Sequence, residues 1–232
     1  MLSIIVPAHN EGENLVKLIP ALQELNMTNK HEILVALSAA NADESVALLR
    51  NMGVSYIECQ KKGRACQMNE AASVAKGDVL VFLHADVIPP QSFIADIEST
   101  IANGFEAGFF SYRFDSDSLL LKINASFTAK DGIFTGGGDQ CLFIKKELFE
   151  YLGKFDEEQV LMEDFEFFER MKKQEIQYKI INSDLIVSAR KYQKNSYLKV
   201  NLSNLLLIVL FKFGYPSSKL KSLHNRLLNT SY

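Results

Sequence analysis

Cysteine is scarce: Cys59, Cys66 and Cys141 are the three in 232 residues, and no Cys-x-x-Cys pair occurs. An odd, scattered set excludes a disulfide scaffold and fits free thiols in a reducing compartment. Long hydrophobic runs are missing too. The longest, Leu205–Phe211, has seven residues, far short of the ~18–20 that a membrane-spanning helix needs. No basic stretch precedes the apolar start, and His9-Asn10-Glu11 follows it closely, so the N-terminus does not read as a signal peptide. Neither sign of charge is in large excess. The balance of 25 basic against 28 acidic residues leaves −3, whereas nucleic-acid binders usually carry a basic surplus, so no nucleic-acid partner is expected. No Gly-x-Gly-x-x-Gly follows the first apolar run and no Gly-x-x-x-x-Gly-Lys-Ser/Thr exists, which removes a dinucleotide fold and a P-loop. Repeats and linkers are absent as well. These absences leave a cytoplasmic, enzyme-sized single domain over residues 1–232, long enough to bury about 70% of its unfolded surface.

What is present is an alternation. Ser3–Val6, stopped by Pro7, Glu32–Leu37, Val54–Ile57 and Asp78–Leu83 read as buried strands. Between them lie helical patterns: Leu15, Leu18, Ile19, Leu22 and Leu25 at helical spacing behind an Asn10–Glu13 capping box, then Asp43–Met52 and Ala65–Ala75. Pro90–Ala102 completes this part. Strand and helix in turn over the first ~105 residues predict an α/β fold, with a mixed, mostly parallel central sheet flanked by helices. Residues 106–192 are less regular: strands at Ala107–Phe114, Cys141–Lys145, Tyr178–Ile181 and Leu185–Ser188, a helix or long connection over Ser118–Lys130, a break at Gly136-Gly137-Gly138, and helices at Lys146–Leu152 and Glu163–Lys173. Residues 193–232 form a C-terminal helical appendage, with a long apolar helix over Asn195–Gly214.

Ligands of such sheets gather beyond the carboxyl ends of the strands. The polar clusters His9-Asn10-Glu11, Gly63-Arg64 and His84-Ala85-Asp86 all lie at strand exits or helix starts, which predicts one shared site. Helix N-termini there suit a nucleotide base or phosphate. Asp86 is a candidate ligand for Mg²⁺ or Mn²⁺, a hard cation that needs few protein ligands when a diphosphate supplies the rest. His84 can add a nitrogen ligand or a phosphate hydrogen bond. Glu163-Asp164 opens an amphipathic helix, so one carboxylate is a candidate general base. Asp139 can hold a hydroxyl beside the glycines, and Arg64 and Arg190 suit phosphate oxygens. Each feature also has a plainer reading as a cap, a turn or a surface charge.

Taken in order, these segments resemble the family 2 glycosyltransferases, which have the Rossmann-like GT-A fold. Pro7-Ala8-His9-Asn10-Glu11 looks like that family's opening motif. Lys62-Gly63-Arg64-Ala65-Cys66-Gln67-Met68-Asn69 is similar to a segment of one small-enzyme branch, and Phe82-Leu83-His84-Ala85-Asp86 stands at the metal-binding Asp-x-Asp position. Gly138-Asp139-Gln140, Met162-Glu163-Asp164 and Ser188-Ala189-Arg190-Lys191-Tyr192 match later motifs. Relatives in the branch are often labelled arsenosugar-biosynthesis glycosyltransferases. The resemblance implies an inverting, metal-dependent transfer of a sugar from a nucleotide-sugar, a UDP-sugar foremost, to a hydroxyl of a sugar, small-molecule or lipid-linked acceptor. Pro7, Ala8, Asn10, Glu11, Arg64, Gln67, His84 and Arg190 would then bind the donor, Asp86 the metal and Asp139 and Gln140 the acceptor. Asp164, with Glu163, would be catalytic.

One departure stands out. Many relatives place an Asp that binds uracil after the second strand, and here the region reads Val35-Ala36-Leu37-Ser38. A binding protein of the same fold that has lost catalysis is therefore a second hypothesis. A sugar nucleotidyltransferase is a third, weakened by the lack of a glycine-rich loop after the first strand. Leu205–Phe211 covers every side of a helix and calls for burial all round. Packing on the core, a homodimer through residues 197–215 or peripheral contact with an anionic membrane face would each supply it, the last helped by Lys194, Lys199, Lys212, Lys219 and Lys221.

Overall fold

The computed structural model of the chain describes residues 1–25, 31–132 and 135–228; the last four residues of the C-terminal segment lie outside them. The first part alternates as β1 (Leu2–Ala8), α1 (Gly12–Leu25), β2 (His31–Leu37), α2 (Ser45–Asn51), β3 (Ser55–Glu58), α3 (Arg64–Val74) and β4 (Val79–Phe82). The rest runs β5 (Val87–Ile88), α4 (Phe93–Ala102), β6 (Ala107–Phe114), α5 (Leu119–Ser126), β7 (Leu142–Lys145), α6 (Lys146–Tyr151), α7 (Glu163–Lys173), β8 (Tyr178–Val187), α8 (Arg190–Lys194), α9 (Tyr197–Lys212) and α10 (Ser217–Leu228). One eight-stranded sheet has the order β3-β2-β1-β4-β7-β6-β8-β5. It is parallel through β3-β2-β1-β4 and between β6 and β8, and antiparallel at β7 and β5. This is the mixed, mostly parallel GT-A-like sheet.

The sheet has to curl. Phe82 ends the central strand β4 and Val87 opens β5 five residues later, at an edge of the sheet four strands away. Five residues reach at most about 18 Å, while four inter-strand gaps of a flat sheet need ~19 Å. The hydrogen bond from Val87 N–H to the His84 carbonyl shortens that reach further. The β5 edge must therefore curl back toward β4, and His84-Ala85-Asp86 is strung between the two.

Period-2 burial puts a core on each face. Ile4, Val6 and Ala8 face the layer of α1 and α4, with Leu15, Leu18, Phe93 and Ile97. Ile5 faces the layer of α3, α6 and α7, with Met68, Phe149 and Phe167. In that second layer Phe82, Phe149, Phe155 and Phe167 stack with centroids 5.0–5.4 Å apart, each pair adding about 0.5–1.5 kcal/mol beyond its buried area. Phe167 sits one turn after Asp164 and so anchors the start of α7.

Several expectations need correction. Pro7 does not stop β1. The Ile5 carbonyl accepts from Leu83 N–H, so odd-numbered residues of β1 turn their backbone groups toward β4. Because β4 ends opposite Ile5, the missing N–H of Pro7 points past its end and costs no ladder bond. The Asn10–Glu13 box does not form. The Asp43 carboxylate caps Gly12 N–H at 2.9 Å, from 31 residues away, while Asn10, at φ 54°, accepts from Ala42 N–H at 2.8 Å. The two strands expected over 178–188 are one strand, β8, with an irregularity opposite Phe110/Tyr112. The long C-terminal helix is bounded by α8 and α10, which its apolar pattern did not reveal. Nor is α9 buried all round: Leu207 and Ile208 are buried, while Leu205, Leu206 and Val209 are exposed.

Candidate functional site

Two adjoining hollows open at the carboxyl ends of β1 and β4, where the strand order reverses. The first, about 210 Å³, is bordered by Pro7, Ala8, Glu11, Asp86, Ser188 and Arg190 among others. The second, about 200 Å³, lies between the 136–140 loop, the start of α7 and helices α9 and α10. Arg64, His84, Tyr112, Asp139, Lys191 and Asn204 border both. Either hollow alone is below the ~300–1,000 Å³ usual for ligand sites, and the pair reaches that range.

Charges alternate across the first hollow. Arg190 Nη2 lies 3.0 Å from Asp86 Oδ2 and 3.5 Å from Glu11 Oε1, so one guanidinium bridges two carboxylates. These come from the end of β1, the β4–β5 connection and the start of α8. Arg64 is the first residue of α3, behind Gly63 at φ 118°. Its Nη1 pairs with Glu163 Oε1 at 3.2 Å. Glu163 is 3% exposed, a burial that only a held partner makes tolerable. Asp164, next to it, faces the second hollow.

The 136–140 loop passes so close that a side chain at Gly138 has no room. A Cβ there would lie 2.5 Å from both His84 Nε2 and Asp164 Oδ2. His84, Asp139 and Asp164 are packed around that glycine, with His84 Nδ1 3.6 Å from Asp139 Oδ1. Burial and the nearby Arg64 act to lower the His84 pKa, but Asp139 and Asp164 outweigh them and it stands raised. Burial works against ionisation of Asp139 as well, yet His84, Lys191 and Arg64 hold its carboxyl well below the usual range. Asp164 goes the other way. Burial, reinforced by the charge of Glu163 and only partly offset by His84 and Arg64, pushes it up to about 7. Two acids of one site are thus driven apart, Asp139 ionised and Asp164 poised near neutrality, the pattern expected of a division of labour.

The expected site residues do not all reach the hollows. Asn10 is absent from both linings and ties its loop to residues 41 and 42, accepting from Ala42 N–H as its own N–H donates to Asn41 at 2.9 Å. Gln140 borders the second hollow, but both ends of its amide are engaged: Gly136 N–H donates to it at 3.0 Å, and it donates to the Thr128 carbonyl at 3.1 Å. It thereby shapes the glycine loop. Gln67 borders the first hollow while its Nε2 donates to the Ala8 and Ala36 carbonyls at 2.9 and 2.7 Å, joining the ends of β1 and β2. Asn69, two residues along the same helix and turned to another side, holds a second part of the site: it and Phe155 exchange a reciprocal pair at 2.9 and 3.1 Å that fixes the segment leading to Asp164. Leu37 is buried at the end of β2 with no carboxylate there; Asp43, the next acid, is occupied in capping α1.

Sequence reasoning missed Tyr112, Lys191, Asn204 and His224 as lining residues, while His9 belongs to a cluster it placed at the site. Lys191 lay within a quoted motif and Asn204 stands just before the apolar run, which are weak signals. Tyr112 and His224 gave none. Among the described residues no cluster of three or more His, Cys, Asp or Glu side chains forms a ready metal cage; the carboxylates bordering the first hollow are Glu11, Asp86 and Asp139, the last engaged with His84.

The model of the family described as "Glycosyl transferase family 2" matches residues 3–144. Glycosyltransferase AglE of Haloferax volcanii is 24% identical over 168 residues, which are 66% of this chain and 55% of AglE; the chain thus spans little more than half the length of that relative. Among solved structures, S. aureus TarS 1–349 in complex with UDP superposes with a TM-score of 0.65 at 13% identity, covering 98% of this chain and 70% of TarS. Mannosyltransferase PcManGT of Pyrobaculum calidifontis, in complex with GDP-Man and Mn²⁺, gives 0.69 at 16% identity over 97% of this chain and 69% of its own.

Proposed function

The chain belongs to glycosyl transferase family 2, and from that premise we propose that it moves a sugar from a nucleoside-diphosphate-sugar to an acceptor hydroxyl with inversion. The observation that carries this is Asp164, a carboxyl raised toward neutrality on the wall of the second hollow. A base is most effective when its pKa lies near the working pH. The acceptor oxygen bonds to the anomeric carbon as that carbon's bond to the diphosphate oxygen breaks. The electron pair leaves on the nucleoside diphosphate, and the hydroxyl proton passes to Asp164. Asp139, ionised, accepts a hydrogen bond from another acceptor hydroxyl. Glu163 keeps Arg64 between the two hollows.

The donor occupies the first hollow, its base near Pro7 and Ala8. Arg64, His84 and Arg190 face its diphosphate. Asp86, with Glu11 beside it, would hold Mg²⁺ or Mn²⁺, which supplies charge neutralisation of the leaving group. Arg190 then turns from Asp86 onto phosphate oxygens, which its planar fork suits. A UDP-sugar is the first candidate, supported by the motif resemblance and by the UDP bound to TarS; PcManGT, with GDP-Man, makes a GDP-sugar the next. The narrower placement among arsenosugar-biosynthesis glycosyltransferases rests on the motifs alone.

Thermal shift with UDP- and GDP-sugars, with and without Mn²⁺, tests the reading. A bound donor at 100 times its Kd adds about 2.7 kcal/mol of stability. Stabilisation that needs Mn²⁺ and disappears in Asp86→Ala is expected. No shift with any nucleotide sugar overturns the donor assignment, and binding without transfer across a broad acceptor set favours a binding protein.

A further inference from the structure

Every acidic residue of the chain precedes Leu185. The 48 residues from there to the end carry eight basic side chains and no acidic one, whereas the preceding part carries 28 acidic and 17 basic. The net −3 conceals this division.

The basic segment also carries the largest group of exposed apolar side chains. Helix α9 buries Val200, Leu207 and Ile208, but Leu198, Leu202, Leu205, Val209 and Phe213 repeat at helical spacing on its outer side, 40–86% exposed. Beside it, Leu119, Leu120, Ile123 and Phe127 on and just after α5 are 48–71% exposed. The two stripes adjoin. Asn124 Nδ2 donates to Asn201 Oδ1 at 2.6 Å, Leu120 and Phe127 lie one turn to either side of Asn124, and Leu198 and Leu205 do so around Asn201. Contiguous apolar surface of this kind marks a binding face, unlike single exposed leucines.

Charge decides the occupant. Lys194, Lys199, Lys212, Lys219 and Arg226 are exposed on α8, α9 and α10 with no acidic neighbour in sequence. A twofold contact between copies would set this basic segment against itself. Lengthwise spanning is excluded: sixteen residues of α9 make about 24 Å of helix, short of the ~30 Å hydrocarbon core. We infer that α5 and α9 dock in the plane of an anionic lipid surface, leucines and phenylalanines in the acyl boundary and lysines at the headgroups. Helix α9 also turns Asn204, Leu207 and Ile208 into the second hollow. Docking therefore sets the mouth of that hollow at headgroup level, where it meets amphiphilic hydroxyl compounds, a consequence that rests on the transfer reading.

Vesicle flotation of the full chain tests the inference, comparing phosphatidylcholine with phosphatidylcholine–phosphatidylglycerol. Binding to the anionic vesicles at low salt, roughly ten-fold weaker on neutral ones and lost in Leu202→Glu/Phe213→Glu, is the expected result. The double variant should melt and bind nucleotide as the parent does, which separates failure of docking from failure of the donor site. No flotation with anionic vesicles overturns the inference. So does equal flotation of the double variant, or self-association in sedimentation that the double variant abolishes.

Discussion

Strand β1 buries all seven of its residues, whereas α9, with sixteen residues, leaves a stripe of leucines uncovered. The two regions divide the molecule's tasks. Between β1 and β4, apolar side chains fill two cores, and the groups left at the strand ends are held by struts: Gln67 between β1 and β2, Asn69 on the segment before α7, Asp43 on α1. From Leu185 onward, an apolar stripe of α9 faces outward, every charged side chain is basic, and the contribution to the site is Arg190, Lys191 and a wall. The reacting carboxylates thus come from the first region, and access and two of the site's cations from the helical one.

Changes in the first region should have the largest effects. Asp164→Asn should lower kcat by about 10²–10⁴-fold while calorimetry shows donor affinity retained; unchanged turnover would remove Asp164 as the base. Gly138→Ala, which forces His84 and Asp164 apart, should cost on the order of 10²-fold in turnover, the usual penalty for a displacement of about 1 Å, with donor Kd altered far less. Asn69→Ala removes both hydrogen bonds to Phe155 and should destabilise by about 1–3 kcal/mol in urea titration.

The raised pKa of Asp164 makes a two-sided prediction. The folded state holds this proton more firmly than the unfolded chain does, so the carboxyl costs stability increasingly as pH rises from its ordinary value, 3.8, through about 7. Asp164→Asn should therefore raise Tm at pH 8, and the gain should shrink as pH falls toward 4. Turnover of the parent enzyme should rise through pH 7 as the base is freed. The smallest effect belongs to the other region: Leu202→Gln, on the exposed stripe, should change stability by less than about 0.5 kcal/mol and leave nucleotide binding intact. A larger loss of stability would mean that the stripe is part of the core after all.

Much of the fold was legible because buried parallel strands are short apolar runs, and the helices between them repeat every three to four residues. Leu15, Leu18, Ile19, Leu22 and Leu25 mark α1 in the sequence as clearly as in the structure. The site was legible where a residue follows its strand directly, as Glu11 and Asp86 do. Legibility failed where a group meets its partner through tertiary packing. Asp43 displaces Asn10 as the cap of α1 from far along the chain. Gln140 turns inward because the glycine loop beside it needs a partner for its backbone. Tyr112, Asn204 and His224 reach the hollows from β6, α9 and α10, which no local pattern brings together. Strand β5 has two residues, too few for any periodicity to show.

That shortest strand acts as a ruler. Val87 pairs with Val187 and Ile88 with Ile186, so Asp86 stands one residue before a two-rung ladder and Arg190, opening α8, three residues after its last rung. The separation between the carboxylate that would take a cation and the guanidinium that would take a phosphate is thus set by strand register together with the short turn at Ser188-Ala189, which Asp115 pins through Ala189 N–H at 2.6 Å. Sliding β5 by a single residue would carry Asp86 about 3.3 Å along the strand direction, more than the whole 3.0 Å contact it now makes. A deletion or insertion at Val87–Ile88 would leave every group of the site present and the spacing between its two charges wrong.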